Sequence, residues 1–258
     1  LNTAAAVTWM NYASTALSYN NAYNPRPDYY KNLPSAIFNV YNDAYNDAGW
    51  LTENPGVMEQ YQNLYDYWMS SRANRQVKWD QMYAQNEANN ATGKDALYYQ
   101  EKRHNNQLVF NLSSVLNGKF GIHGAYTFGL NVNSTKGMHY TTMADLLGAS
   151  YYTDIDKFAA GDYGLNSIQA QSDLRHPNRR IKEGDTFGYD YETEVLFGQI
   201  WAQYQYTIGS FNANLQANLD GTRMRRNGKM QNGQGQLLQA DGTYFDNSYG
   251  HSDWAGFL

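Results

Sequence analysis

The two carboxylates of Asp154-Ile155-Asp156 are the first residues whose types and spacing suggest chemistry, namely the binding of calcium. Calcium takes oxygen ligands, but an EF-hand loop also supplies a glycine and a distal glutamate, which this segment lacks. Paired spacing of the kind that zinc requires is missing from the five histidines: His104, His123, His139, His176 and His251. Motifs for phosphate binding, dinucleotide binding or a nucleophilic serine do not occur either. The sequence therefore predicts no catalytic residue, no metal site, no cofactor and no enzyme activity.

Basic residues form two clusters that suggest an anionic ligand: Arg179, Arg180 and Lys182, and then Arg223, Arg225 and Arg226. Such clusters are either solvated loop charges or a site for an acidic ligand such as lipopolysaccharide. The net charge of -5 disfavours nucleic acid as the main partner, because no basic surplus exists to neutralise phosphates. The chain has no cysteine, which excludes disulfides and thiolate metal sites.

Aromatic and amide side chains are the other candidates for ligand contact, since aromatic residues make up 16% of the chain and Tyr dominates them. Tyr and Trp join a flat apolar ring to a polar group, which suits a membrane interface or a sugar-binding surface. We predict ligand contacts from loop aromatics and from one face of the strands: Trp50, Trp68, Trp79, Tyr151, Tyr152, Trp201, Gln203, Gln205, Asn212 and Asn214. The loop aromatics have a second interpretation, as the small hydrophobic core of their own segment.

Long strands position many of these side chains. Alternation of apolar and polar residues predicts four strands, over 107–116, 120–133, 190–208 and 211–224. Tight turns at Asn117-Gly118 and Gly209-Ser210 are predicted to join them into two antiparallel hairpins. The segment 3–19 alternates only partly and is a weaker candidate. We therefore expect an all-β fold in which about five long strands form an open antiparallel sheet.

One face of each strand is apolar and the other is rich in amides. The apolar residues predicted to share the convex face are Phe110, Leu112, Ile122, Phe128, Tyr204, Ile208, Phe211 and Leu215. The concave face is predicted to carry Gln203, Gln205, Asn212 and Asn214. Strands longer than about 9–11 residues can cross a bilayer. The pattern predicts a section of a transmembrane β-barrel, with lipid against the apolar face and a wet lumen against the amides. A soluble β-sandwich, whose core the apolar face would form, is the alternative.

Three long segments separate the strands, at 20–104, 134–189 and 225–258. If the strands alternate in direction, all three fall at the same end, like the extracellular loops of an outer-membrane barrel. In the first we expect a helix that starts at Asn54-Pro55 and a second short helix around Trp79. The sequence has no run of roughly 18 apolar residues that would form a membrane helix, and its N-terminus lacks the pattern of a signal peptide.

Five motifs, in order along nearly the whole chain, resemble those of the SusC-like TonB-dependent outer-membrane receptors. They are NPRPDYYKNLPS at 24–35, DLLGASYYTDIDKFA at 145–159, HPNRRIKEGDTFGYDY at 176–191, MRRNGKM at 224–230 and DNSYGHSDW at 246–254. Members of this family combine a barrel of about 22 strands with an N-terminal plug domain. They import glycans, peptides or chelated cofactors with energy from the TonB complex.

The resemblance implies that this chain is a middle section of such a barrel, because no TonB box and no plug domain are recognisable in it. It further implies a bacterial outer-membrane location, contact with outer-membrane lipid, and action through the TonB complex. In many members a SusD-like surface lipoprotein is a further partner. The alternative function is that of a soluble or surface-tethered glycan-binding protein, which would stack sugar rings on its Trp- and Tyr-rich loops.

Overall fold

The computed structural model describes residues 1–39, 53–238, 244–246 and 248–257. Two compact units divide the chain. Unit 1 comprises 1–17, 100–146 and 151–258, and unit 2 comprises 18–99 and 147–150.

Strands dominate the chain. They are β1 (Asn2–Met10), β2 (Ala13–Tyr19), β3 (Tyr98–Phe120), β4 (Gly124–Asp145), β5 (Tyr152–Thr153), β6 (Arg180–Ile181), β7 (Thr186–Ile208), β8 (Phe211–Gly228), β9 (Gln236–Leu238), β10 (Tyr244–Asp246) and β11 (Gly250–Phe257). The α-helices are α1 (Ala36–Asn39), α2 (Pro55–Ser70), α3 (Trp79–Ala91) and α4 (Lys157–Tyr163), and 3-10 helices span Tyr30–Asn32, Arg72–Arg75 and Gly233–Gly235. Within the described residues, no helix is both long and apolar enough to span a membrane.

The main sheet of unit 1 is antiparallel, with the strand order β1-β3-β4-β7-β8-β11, and β2 also pairs with β3. Four of its strands are 18 to 23 residues long. The prediction of a mostly antiparallel all-β fold is confirmed. The sheet is not closed, since among the described residues β1 pairs only with β3 and β11 only with β8.

The number of strands differs from the five predicted. The segment 3–19 forms two strands, because the chain leaves its extended pairing at residues 11–12. Here the backbone N–H of Tyr12 donates to Asn106 Oδ1 and the backbone N–H of Asn105 donates to Tyr12 O. Strand β11 lies in the segment 225–258, which was predicted to be a long loop.

The first hairpin does not turn at Asn117-Gly118, so that prediction is wrong. Both residues lie within β3, where Asn117 pairs with Thr127 and Gly118 with Tyr126. The chain turns at residues 121–123, where Gly121 has a φ of +66°. The Tyr126 ring occupies the space above Gly118, since a Cβ at Gly118 would lie 2.2 Å from it. The small residue therefore accommodates a neighbouring ring and does not form a turn.

The second hairpin turns where the sequence predicts. Strand β7 ends at Ile208 and β8 begins at Phe211, and these two residues pair directly. Gly209 takes a φ of +56°, a left-handed conformation that glycine adopts without steric cost. The prediction of a turn at Gly209-Ser210 is confirmed.

Unit 1 also contains a small core built from the residues between β4 and β7 and from the start of β7. Ile181 is fully buried, and Tyr152 and Phe187 meet edge to face with their ring centroids 5.7 Å apart. The hydroxyl of Tyr152 donates to Ile155 O at 3.2 Å. Because only 2% of Tyr152 is exposed, this residue is a core residue, although the sequence suggested a ligand contact.

Unit 2 is held together by α2, α3 and one buried amide. Both predicted helices are present, and α2 starts with Pro55 at its first position, although the side chain of Asn54 makes no capping hydrogen bond. Asn86 on α3 is completely buried. Its Nδ2 donates to Tyr98 O at 2.8 Å and to Leu147 O at 3.0 Å, while its Oδ1 accepts from the backbone N–H groups of Leu97 and Tyr98. One side chain thus joins α3 to two other segments of unit 2.

Candidate functional site

The apolar face of the main sheet is exposed to an extent that is unusual for a soluble protein. The strand register places most of the predicted apolar set on one face. Phe110 pairs with Ser134, and Ser134 pairs with Leu196, so these three side chains share that face, as does the pair of Tyr204 and Leu215. Ile122 is the exception, because it lies in the turn. Many large side chains on this face are substantially exposed, from Phe110 at 38% to Ile200 at 55% and Leu215 at 73%. No described residue of unit 1 covers them as the second layer of a sandwich would.

Near the hairpin turns, aromatic rings cover the strand glycines of this apolar face. Tyr126 lies over Gly118, and the Tyr204 hydroxyl would lie 2.5 Å from a Cβ at Gly124. Packing of an aromatic ring over a strand glycine covers the bare backbone and fixes the strand register. The turn end of the face therefore carries a group of Tyr and Phe rings.

A row of charges borders the apolar face at its other end. The register aligns Lys136, Glu194, Arg225 and Asp253 across four strands. Lys136 Nζ lies 2.9 Å from a carboxylate oxygen of Glu192, and Arg225 Nε lies 3.1 Å from one of Asp253. The basic residues of this row are paired with carboxylates, so the row is not a free basic surface. The apolar stretch thus ends abruptly at a polar border.

The predicted basic clusters do not stay together. Arg223 and Arg225 lie on the apolar face, where both contact Asp253, whereas strand alternation places Arg226 on the opposite face. The Arg226 guanidinium lies 4.9 Å from the centroid of the Tyr191 ring. In the other cluster, Arg180 stacks on Tyr151 at 4.4 Å. These cations make local contacts. The separation of Arg225 from Arg226 was missed because the strand was predicted to end at 224, whereas β8 continues to Gly228.

The opposite face of the sheet carries a ladder of amides and hydroxyls. Asn131 is its centre: its Oδ1 accepts from Ser113 Oγ at 2.8 Å and its Nδ2 donates to Gln199 Oε1 at 2.8 Å. Asn133 Nδ2 donates to Asn111 Oδ1 in the next row. These bonds run across β3, β4 and β7, so the polar face is pre-ordered and open to water.

The predicted strand residues all lie on this polar face. Gln203 pairs with Gln216, and Gln205 pairs with Asn214. Asn212 Oδ1 accepts from Thr207 Oγ1 at 2.6 Å beside the turn. Trp201 belongs to the same face, opposite Asn218. The structure therefore brings Trp201, Gln203, Gln205, Asn212 and Asn214 onto one surface.

The predicted loop aromatics do not form one group. Trp68 lines a cavity of 380 Å³ within unit 2, whereas Trp79 is an exposed residue at the start of α3 and does not line it. Tyr151 stacks with Arg180 and Tyr152 lies in the small core of unit 1. Trp50 lies outside the described residues.

Several residues that line the cavity were not identified from the sequence. Six of them are amides, namely Asn24, Asn32, Asn74, Gln76, Gln81 and Gln85. Helical spacing relates a few of the lining residues: Gln81 and Gln85 lie four residues apart on α3, and Leu64 and Tyr67 lie near Trp68 on α2. The others come together only through the fold of unit 2.

The two acids suggested as calcium ligands have other partners. Asp154 accepts from Arg179 Nη2 at 3.1 Å and from the Gly188 backbone N–H at 3.0 Å. Burial raises the pKa of Asp154, although these donors oppose the shift. Asp156 caps α4 through hydrogen bonds from the Phe158 and Ala159 backbone N–H groups. Among the described residues, no group of three acids or histidines is placed to hold a metal ion.

A second aspartate in the same part of unit 1 has the opposite shift. Burial favours the neutral form of Asp173, but hydrogen bonds from His176 and from the backbone N–H groups of Gln231 and Arg175 outweigh it. The pKa of Asp173 therefore lies below its ordinary value. This carboxylate ties residues 173–176 to the segment after β8, which is a structural role.

Comparison of the chain with protein-family models, with curated proteins and with solved structures gave no match.

Proposed function

We propose that the chain is a section of the β-barrel of an outer-membrane, TonB-dependent active transporter that imports a nutrient. The observation that carries the proposal is the main sheet itself, which has an uncovered apolar face and an ordered polar face on the same long strands. A transmembrane barrel needs this combination, with lipid outside and water inside. The five sequence motifs that resemble SusC-like receptors support the same assignment.

The height of the apolar face fits a bilayer. On β7 it runs from Leu196 to Ile208, a length of about 40 Å at the usual rise of a strand. A strand tilted by about 45° would then cover roughly 28 Å along the membrane normal, close to the hydrocarbon thickness of about 25–30 Å. The charged row that contains Lys136 and Glu194 begins just beyond this stretch, where its side chains would contact lipid headgroups and water.

Grooves in the apolar face suit acyl chains better than a protein core. Gly198 pairs with Gly221, and the missing side chains leave a groove of 520 Å³ lined by residues such as Leu130, Ile200 and Leu219. A soluble sandwich would fill such a space, because protein interiors are close-packed. Flexible acyl chains can fill this groove without a protein surface of complementary shape.

The open edges of the sheet support a section of a barrel over a complete one. Strands β1 and β11 each leave one row of backbone N–H and C=O groups without a partner strand among the described residues. In hydrocarbon each unsatisfied group costs several kcal/mol. Further strands on both sides would satisfy them.

Site-directed spin labelling tests the proposal. The sequence has no native cysteine, so only an introduced cysteine would react with the label. Ile200→Cys and Gln199→Cys place a nitroxide on opposite faces of the same strand. In detergent micelles we expect the label at position 200 to be accessible to oxygen and the label at 199 to a water-soluble nickel chelate. Equal accessibility of both labels to the chelate would contradict lipid contact.

A soluble glycan-binding protein is the second candidate, and the cavity of unit 2 favours it. That cavity has an indole ring and several amides in its wall. The exposed apolar face of unit 1 weighs against a soluble protein, because exposed apolar patches larger than a few hundred Å² are rare on soluble monomers. The labelling experiment separates the two candidates.

A further inference from the structure

The cavity of unit 2 has the chemistry of a binding site. Its volume of 380 Å³ falls within the range of small-molecule pockets. Aromatic rings, amides and two lysines, Lys31 and Lys78, are among the described residues that line it, and none of those residues is acidic. In a protein with a net charge of -5, this is a locally positive, polar and aromatic pocket.

A rigid network fixes one wall of this cavity. The indole N–H of Trp68 donates to Asn32 O at 2.9 Å. Asn32 Nδ2 in turn donates to Arg26 O at 3.0 Å and to Asn24 O at 3.3 Å. The polar edge of the indole is therefore already satisfied, and the apolar ring face is what Trp68 can offer to a ligand.

Two amide atoms in the same wall lack a partner. Asn24 is 6% exposed and its Oδ1 accepts from the Arg26 backbone N–H, but its Nδ2 has no hydrogen-bond partner among the described residues. Asn32 Oδ1 is likewise buried and unpaired there. An unsatisfied buried polar group costs about 1–3 kcal/mol. A donor and an acceptor left unpaired beside a cavity indicate that a ligand with hydroxyl groups completes the wall.

Three glutamines, Gln76, Gln81 and Gln85, also line the cavity. Gln81 and Gln85 lie one turn apart on α3, and Gln76 precedes that helix. The described residues offer no hydrogen bond to the side chains of Gln81 and Gln85, which are exposed. An amide both donates and accepts, so it matches a hydroxyl, which does the same.

We propose that this cavity binds an oligosaccharide that carries carboxylates. A sugar ring lies against the Trp68 face, ring hydroxyls pair with the amides of Asn24, Gln81 and Gln85, and a carboxylate faces Lys31. Lys78 contributes charge, although its Nζ already donates to Ala73 O at 2.5 Å. The proposal names the substrate class of the proposed transporter and rests on that function for its biological use.

Calorimetric titration of the full chain in detergent tests the proposal, with hexagalacturonate as the probe. Maltohexaose, a neutral sugar of the same length, and hexaglutamate, a carboxylated peptide, are the two comparison ligands. We expect hexagalacturonate to bind more tightly than either, and its affinity to fall as salt is added, because charge contributes. Absence of hexagalacturonate binding, or tighter binding of either comparison ligand, overturns the proposal.

Variants locate the binding. Lys31→Gln and the double change Gln81→Ala with Gln85→Ala alter exposed side chains and leave the Trp68 network intact. We expect each to weaken hexagalacturonate binding about tenfold, which corresponds to about 1.4 kcal/mol. Asn63→Ala on α2 does not touch the cavity and is the matched control. Unchanged affinity in the cavity variants, with helix content confirmed by circular dichroism, places the sugar elsewhere and refutes the site.

The failure of this proposal is distinguishable from the failure of the transporter proposal. If the chain binds the sugar but the label at position 200 is exposed to water, the cavity proposal stands and the membrane proposal is wrong. If the label at position 200 is accessible to oxygen but no sugar binds, the membrane proposal stands and the cavity proposal is wrong.

Discussion

The indole of Trp201 lies directly over Gly129, its partner on the neighbouring strand, so closely that a Cβ at Gly129 would come within 2.0 Å of the ring. This is the only large aromatic side chain among the strand residues predicted to contact ligand, and it stands on the polar face. The glycine gives the indole a flat seat, and the ring covers backbone that would otherwise be open to water. The sequence showed Trp201 as an exception to the alternation, and its position over Gly129 explains the exception.

Gly129→Ala should displace Trp201 and destabilise the sheet by about 1–3 kcal/mol, the usual range for overpacking. The free energy of unfolding in urea, followed by Trp fluorescence, measures the change. Gly198→Ala is the control, because nothing lies within 4 Å of a Cβ there. The account of Trp201 is wrong if the two variants are equally stable.

Asp154 and Arg179 form an ion pair, and we expect a substitution of Arg179 to destabilise the protein more than a substitution of Asp154. Arg179→Met removes the charged one of two side-chain donors to Asp154, which is only 2% exposed, and also the hydrogen bond to Thr186 O. An uncompensated buried charge costs roughly 3–5 kcal/mol. Asp154→Asn keeps only one of the two acceptor oxygens, since Arg179 Nη2 and the Gly188 N–H bind different ones, but it also removes the buried charge. We therefore expect a loss of only about 1–2 kcal/mol.

Urea unfolding at neutral pH compares these two variants. We also expect the loss in Arg179→Met to shrink at low pH, because the buried carboxyl can then take up a proton. The pKa of Asp154 is already raised by burial, which favours this protonation. A larger loss in Asp154→Asn than in Arg179→Met at neutral pH would show that the pair does not act in this way.

Asp173 should make the protein less stable in acid. Its pKa is lowered in the folded state, so its ionised form contributes stability above the ordinary value of 3.8, and that stability is lost as the pH falls through the lower folded value. In Asp173→Asn this contribution to the pH dependence is absent. Unfolding free energies between pH 6 and pH 3 should therefore fall less steeply in the variant, and parallel curves would contradict the assignment.

The sequence predicted elements where alternation persisted over many residues, and failed where a local pattern competed with it. Gly209-Ser210 stands at a true end of alternation and forms the turn. Asn117-Gly118 has the stronger turn propensity, but the apolar positions continue through Leu116 to Phe120, and the pairing of both strands outweighs the turn. Long-range strand pairing adds many hydrogen bonds, whereas one turn contributes little.

The site was predictable to a different degree in each unit. The polar strand face follows from period 2, so Gln203 and Asn214 could be placed on it from the sequence. The unit 2 cavity joins Asn24, Trp68 and Gln85 from separate segments, and no periodicity relates them. Of its residues only Trp68 was predicted, because an aromatic ring is recognisable without its surroundings.

The two faces of β7 should respond oppositely to a new charge. Ile200→Arg places a cation in the middle of the apolar stretch, where we expect a loss of about 2–4 kcal/mol in detergent micelles, as at the bilayer midplane of other barrels. Gln199→Arg, one residue away on the polar face, should be nearly neutral. Reversible unfolding by urea in detergent micelles measures both losses, and equal losses would contradict the assignment of the two faces.

The open edges of the sheet lead to the expectation that this chain alone does not form a pore. The main sheet has six strands in its order, with β2 beside β3, and the smallest membrane barrels need about eight strands to close. The exposed backbone groups of β1 and β11 would be costly in hydrocarbon, so the chain should aggregate or stay in detergent. Conductance across a planar bilayer measures the outcome, with a complete small barrel protein as the positive control. A reproducible channel from this chain alone would show that it closes or oligomerises, and its assignment as one section of a larger barrel would then be wrong.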